Sequence, residues 1–174
     1  MRRWLALAPL LVLAALAALF AGYSLNRNPQ IQPHALVGKP MPILALPDLS
    51  SGASVRLSDA VGAAEGGPVL VNFYASWCAP CEIEHPELMA LKAQGVRLVG
   101  VAYKDAPANT QAFLGRLGDP FAVRLIDRDG RAGVEFGVTG VPETYLIGSD
   151  GLVVAKHTGP LTPAAAEALL KQRR

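Results

Sequence analysis

Apolar and polar positions along this chain fall into three kinds of run. Residues 4–22 carry no charge at all, a stretch long enough for one helix of about 30 Å. Residues 69–74 (Val-Leu-Val-Asn-Phe-Tyr) are almost continuously apolar, which predicts a strand covered on both faces. Residues 82–91 are good helix formers with apolar positions at Ile83, Leu88 and Leu91, predicting a helix directly after that strand. Residues 96–102 predict a second buried strand, 106–117 a helix, 121–126 a strand closed by a turn at Asp129-Gly130, and 131–136 a short helix. Two strands over 143–148 and 152–157 join through Ser149-Asp150-Gly151 as a hairpin, and Thr162-Pro163 caps a terminal helix. Upstream, residues 43–46 and 54–57 flank a turn at 48–52 and predict an N-terminal hairpin, followed by a short helix with Ser58 as its N-cap. Strands alternating with helices before a closing hairpin predict an α/β sandwich around a mixed sheet.

The charge-free run follows Arg2 and Arg3, a pair that belongs on the cytoplasmic side of a membrane. Pro9 is tolerable inside such a segment. A cleaved signal peptide is the rival reading, but its apolar core is about 7–15 residues long and ends in small residues. This run is longer and ends Leu19-Phe20-Ala21-Gly22-Tyr23. The expected organisation is a cytoplasmic stub (1–3), a signal anchor (4–22), a polar, proline-containing tether (23–37) and one exported domain (38–174). His34 lies in the tether and is expected to be solvated.

Composition changes this picture little. The 51% hydrophobic content is inflated by the anchor, and setting Arg2 and Arg3 aside leaves 14 basic against 14 acidic residues. Such a balance points away from a nucleic-acid partner. Internal repeats and glycine-rich phosphate motifs are absent.

The chain has two cysteines, Cys78 and Cys81, at the junction of the 69–74 strand and the helix after it. A zinc site needs four ligands, and His34, His85 and His157 stand at no finger-like spacing from the pair. A structural disulfide of this span closes too short a loop to stabilise much. A reactive dithiol is the favoured reading of the three. Helix N-termini concentrate unsatisfied N–H groups and partial positive charge, both of which stabilise a thiolate at Cys78. Cys78, at the helix start and expected to be exposed, is the predicted attacking thiol; Cys81, one turn in, is the predicted resolving thiol.

Trp77-Cys78-Ala79-Pro80-Cys81 resembles the active site of the thioredoxin superfamily, and Pro86 matches the proline that kinks its active-site helix. Gly140-Val141-Pro142 resembles its cis-proline loop. The longer stretch Gly137-Val138-Thr139-Gly140-Val141-Pro142-Glu143-Thr144, together with the N-terminal anchor, is similar to the membrane-tethered thiol reductases of cytochrome c maturation, the DsbE/CcmG type. The likeness covers residues 38–174. It implies a thioredoxin-like sandwich with a mixed central sheet, an N-terminal β-hairpin extension and a βα insertion before the cis-Pro loop, behind one transmembrane helix. It further implies a cis Pro142 and a Val141 backbone offered to an extended substrate.

Trp77, Tyr74, Pro80 and Asn72 are expected to frame the site, and His85 and His157 to be without catalytic work. Asn72 departs from the superfamily pattern, in which a buried aspartate assists the resolving thiol. Asn does not titrate. Glu84, three residues beyond Cys81 and similar to the active-site glutamate of extracytoplasmic reductases, is the expected replacement. Carboxylates disfavour a nearby thiolate, so Glu82, Glu84, Glu87 and Glu143 together predict a reductant rather than an oxidant. The resemblance implies a single-pass protein of the bacterial inner membrane, with its domain in the periplasm. Its implied client is the Cys-x-x-Cys-His disulfide of apocytochrome c, met directly or through a maturation partner, and a DsbD/CcdA-type membrane thiol donor would recharge it. No cofactor beyond the Cys78–Cys81 disulfide and no metal are expected. The rivals are a general extracytoplasmic reductase and a copper-binding chaperone using the two cysteines and a histidine.

Overall fold

A computed structural model describes residues 2–25, 36–62 and 67–172, the side chains of the first segment being those of 9–22. Most of the expected tether, His34 included, lies outside these residues. The chain divides into two compact units, Met1–Ile31 and Gln32–Arg174. The first contains helix α1 (Arg2–Leu25), interrupted by no charge after Arg3 and holding Pro9. Among the described residues no helix is long and apolar enough to cross a membrane.

The second unit is built on strand β3 (Val69–Tyr74), every residue of which is buried, as its unbroken apolar run predicts. Its neighbours are β4 (Arg97–Tyr103), parallel, and β6 (Glu143–Ile147), antiparallel. Strand β5 (Val123–Asp127) extends the sheet beyond β4, and β7 (Val153–Thr158) extends it beyond β6, giving the order β5-β4-β3-β6-β7. The sheet is therefore mixed, as the alternation of strands and helices predicts.

Each face of the sheet has its own core. Leu70, Tyr74, Leu98, Ala102 and Leu146 pack with α3 (Ala79–Ala93), α4 (Pro107–Leu117) and α6 (Pro163–Leu170), through Leu88, Leu91, Phe113, Leu114, Ala166 and Leu169. Val69, Val71, Phe73, Val99, Val101, Tyr145 and Ile147 pack on the other side. There they meet α2 (Leu57–Gly62), α5 (Arg131–Phe136) and Leu46 of β1 (Ala45–Pro47), which pairs with β2 (Ser54–Arg56) as the expected separate hairpin. The alternation of the strand side chains assigns each residue to one core or the other.

Several local expectations change. Ser58 is not an N-cap: α2 starts one residue earlier, at Leu57, directly off β2, and Ser58 bonds its neighbour Asp59. Phe121 lies before β5 instead of opening it, its ring stacked on Tyr74 at 4.7 Å between centroids. That stack is possible because residue 100 is glycine; a Cβ there would sit 2.7 Å from the Phe121 ring. Ile83 does not join the apolar stripe of α3 but is exposed, whereas Glu84 and His85 are buried beside Cys81, Leu88 and Leu91. Thr162 does cap α6, accepting from Ala165 N at 3.2 Å.

Candidate active site

Cys78 and Cys81 form a disulfide, with their Cα atoms 5.3 Å apart. Cys78 is the N-cap of α3: its backbone is extended, and its Sγ accepts the amide N–H of Cys81 at 3.2 Å. Pro80 occupies the first turn, where its missing N–H leaves no bond unmade. The peptide Val141–Pro142 is cis. Val141 O lies 3.5 Å from Cys78 Sγ, so the loop before β6 faces the disulfide directly. Cys78 is 5% exposed and Cys81 1%, so the expected contrast between an open and a shielded sulfur is narrow in the disulfide form. Trp77 is the exposed neighbour, and its indole N–H donates to Lys104 O at 3.2 Å. Tyr74 packs in the same core as the two cysteines, stacked on Phe121 and close to Phe113.

Glu84 lies within the protein on the same side of α3 as Cys81. One carboxyl oxygen accepts from Asn72 Nδ2 at 2.9 Å and the other from Leu161 N at 2.8 Å. Asn72 also donates to Thr144 Oγ1 at 3.0 Å, which ties β3, β6 and α3 together beneath the cysteines. Burial pushes the Glu84 carboxyl up to about 7, against the opposing pull of those two hydrogen bonds. The Asn72 Oδ1 acceptor is buried without a partner.

The other carboxylates expected around the pair are placed differently. Glu82 is exposed and clamped by Arg116 through bonds of 2.7 and 3.1 Å, which lower its pKa. Glu87 is half-buried further along α3. Glu143 is a correction. It adjoins Pro142 in sequence, but its side chain lies on the sheet face opposite to Thr144 and therefore opposite to the dithiol side. There it is fully buried, 2.8 Å from Lys156 Nζ, and accepts from Tyr145 OH, Thr139 N and Thr139 Oγ1. It braces the start of the cis-proline loop and contributes no unpaired charge to the cysteines.

His85 is a core residue, its Nε2 2.9 Å from Gly118 O and its ring edge-on to Phe113. His157 is half-buried against Pro160 O. Among the described residues no cluster of His, Cys, Asp and Glu is arranged to hold a metal ion.

The sequence reading missed Asp105 and Lys156. Asp105, buried at the end of β4, accepts from both Ser76 N (2.6 Å) and Ser76 Oγ (2.9 Å), two residues before Cys78. Its only sequence signal is an Asp just ahead of the Ala-Pro that opens α4.

The Redoxin family pattern matches residues 36–170. The chain belongs to the Redoxin family. It is 39% identical to the thiol:disulfide interchange protein DsbE of Escherichia coli K12 over 98% of this chain and 94% of that protein. It is 42% identical to the thiol:disulfide interchange protein HelX of Rhodobacter capsulatus over 88% of this chain and 86% of that one. A crystal structure of a DsbE from Chlorobium tepidum superposes with a TM-score of 0.62 at 33% identity, covering 76% of this chain and 92% of that one. With a vicinal dithiol in its disulfide form, this member of the family is a thiol:disulfide oxidoreductase of thioredoxin-like fold.

Proposed function

We propose that the protein works as a reductant on the periplasmic side of the bacterial inner membrane, on the Cys-x-x-Cys-His disulfide of apocytochrome c or on a maturation partner that carries it. The observation behind the direction is Glu84, a buried carboxyl one turn beyond Cys81 with its pKa near neutrality. When ionised it disfavours a thiolate beside it, which destabilises the dithiol relative to the disulfide. The likeness to DsbE and HelX proteins supports the choice of client.

The cycle balances within the dithiol. The Cys78 thiolate, stabilised by the Cys81 amide, attacks one sulfur of the client disulfide; that S–S bond breaks, and the leaving sulfur takes up a proton. Cys81, having given its proton to Glu84, attacks Cys78 Sγ; the Cys78–client bond breaks, and the second client sulfur leaves and takes up that proton. The reduced client departs, two electrons richer, and the Cys78–Cys81 disulfide is restored. Val141 offers its backbone carbonyl beside the reacting sulfur, as a strand-addition site for an extended client. A membrane dithiol donor of the DsbD/CcdA type returns the electrons.

The charge-free stretch 4–22 holds the domain at the membrane in this reading. It is supported by the outward-facing Leu10, Leu11, Leu13, Leu16, Leu19 and Phe20 of α1. The test is to mix the reduced protein with an oxidised Cys-x-x-Cys-His peptide and to delete the gene. Stoichiometric peptide reduction together with loss of c-type cytochromes supports the reading. A peptide left oxidised, or a deletion strain with normal c-type cytochromes, overturns it. Alkaline extraction that releases the full chain as a soluble species would remove the anchor.

A further inference from the structure

Two consecutive residues at the end of β4 hold the turn that delivers Cys78. The Cys78 amide donates to Ala75 O at 3.2 Å, closing a four-residue turn with Ser76 and Trp77 at its centre. Lys104 O accepts the Trp77 indole N–H at 3.2 Å, and Asp105 accepts both Ser76 N at 2.6 Å and Ser76 Oγ at 2.9 Å. Both central residues of the turn are thus pinned from one place. Asp105 is itself immobilised, since its carboxyl also accepts from Ala106 N at 2.8 Å and from the buried Thr110 Oγ1 at 3.1 Å at the start of α4. Four donors converge on a carboxyl that is 4% exposed.

Burying a carboxylate has a desolvation cost that only a full set of donors offsets. The Ala106 and Thr110 bonds stay within five residues of Asp105 and serve the start of α4. The two Ser76 bonds reach 29 residues back along the chain and end two residues from the reacting sulfur.

We propose that Asp105 is a positioning residue of the exchange reaction, acting through Ser76 to fix the turn that presents Cys78 Sγ to an incoming disulfide. The inference rests on Cys78 being the attacking sulfur. Disulfide exchange needs the attacking thiolate in line with the bond it breaks, and a misplacement of about 1 Å costs on the order of a hundredfold in rate. Asp105→Asn keeps the size of the side chain but weakens the brace. Ser76→Ala removes the Oγ bond alone, and Thr110→Val disturbs only the α4 side of the carboxyl.

The test compares the full-length protein and these variants in second-order reduction of a peptide disulfide, normalised to folded molecules, with iodoacetamide mapping of the reduced protein. Expected are a fall of about tenfold for Asp105→Asn and about threefold for Ser76→Ala, a double variant no slower than Asp105→Asn, and a clearly smaller loss for Thr110→Val than for Ser76→Ala even if its Tm drops. If Asp105→Asn fails to fold, the contrast between Ser76→Ala and Thr110→Val decides the matter. Full activity in Asp105→Asn, or equal slowing by Ser76→Ala and Thr110→Val, overturns the proposal. Labelling of Cys81 ahead of Cys78 in the unsubstituted protein overturns instead the assignment on which it stands.

Discussion

Asn72 Nδ2 donates to Glu84 Oε1 at 2.9 Å, so the residue that cannot titrate holds the one that can. Glu84 titrates near 7 in the folded protein and in the ordinary carboxylate range when unfolded. Because the folded state binds the proton more tightly, the stabilising contribution is fully present below about pH 4.5 and is lost as pH rises through about 7. A shift of this size corresponds to about 3 kcal/mol. His85, with its pKa lowered chiefly by burial, runs in the opposite sense, so the comparison must be between variants. Glu84→Gln is expected to differ from the unsubstituted protein most steeply between pH 4.5 and 7, in urea unfolding curves measured across that window. Parallel pH profiles would contradict the assignment.

The order of attack predicts an asymmetry in trapping. Cys81→Ala is expected to accumulate a mixed disulfide with an oxidised client peptide, because the Cys78 sulfur has no partner left to resolve it. Cys78→Ala is expected to trap none. Non-reducing electrophoresis with mass mapping of the adduct reads the result, and the reverse pattern would exchange the two roles.

The pair Glu143–Lys156 is buried on both sides, so removing the Glu143 charge takes an ionic partner from a buried ammonium that also donates to Gly137 O at 3.2 Å. Glu143→Gln is expected to cost about 3–5 kcal/mol in chemical denaturation, and the double replacement Glu143→Gln with Lys156→Met to recover most of it. The pH midpoint of Cys78 alkylation should stay within experimental error in the folded single variant, because Glu143 lies across the sheet from the dithiol. A shift of that midpoint would bring Glu143 back to the chemistry.

Gly100→Ala puts a methyl group 2.7 Å from the Phe121 ring. The ring must move off Tyr74, in a part of the core already filled by Phe113. Overpacking of this kind costs about 1–3 kcal/mol, which a shifted urea midpoint at constant slope would report.

The chemistry of this chain is legible where it is local. Strand, cysteine pair and helix are contiguous, so the residues that build the N-terminal end of α3 announce themselves by type and spacing. The cis-proline loop is legible by motif only; nothing in its spacing tells that Val141 O comes back to Cys78 across 63 residues. Glu143 shows what adjacency conceals. Its neighbour Thr144 reaches Asn72 beneath the cysteines, and a one-residue step along a strand reverses the face. Asp105 and Lys156 could not be found from local pattern, because the partners that make them matter belong to other elements. Ile83 leaves its expected apolar stripe for a related reason. The buried stripe of α3 runs Cys81, Glu84, His85, Leu88 and Leu91, and polarity alone does not reveal that two of its members are satisfied inside.

The amide of Leu161 bonds Glu84 at 2.8 Å from the link between β7 and α6, so the tail of the domain roofs its acid. A chain cut after Thr158 would keep all five strands of the sheet and both cysteines. It would nonetheless admit water to Glu84, and the carboxyl would drift back towards an ordinary acidity. The link that carries Leu161 therefore belongs to the proton chemistry as much as to the packing.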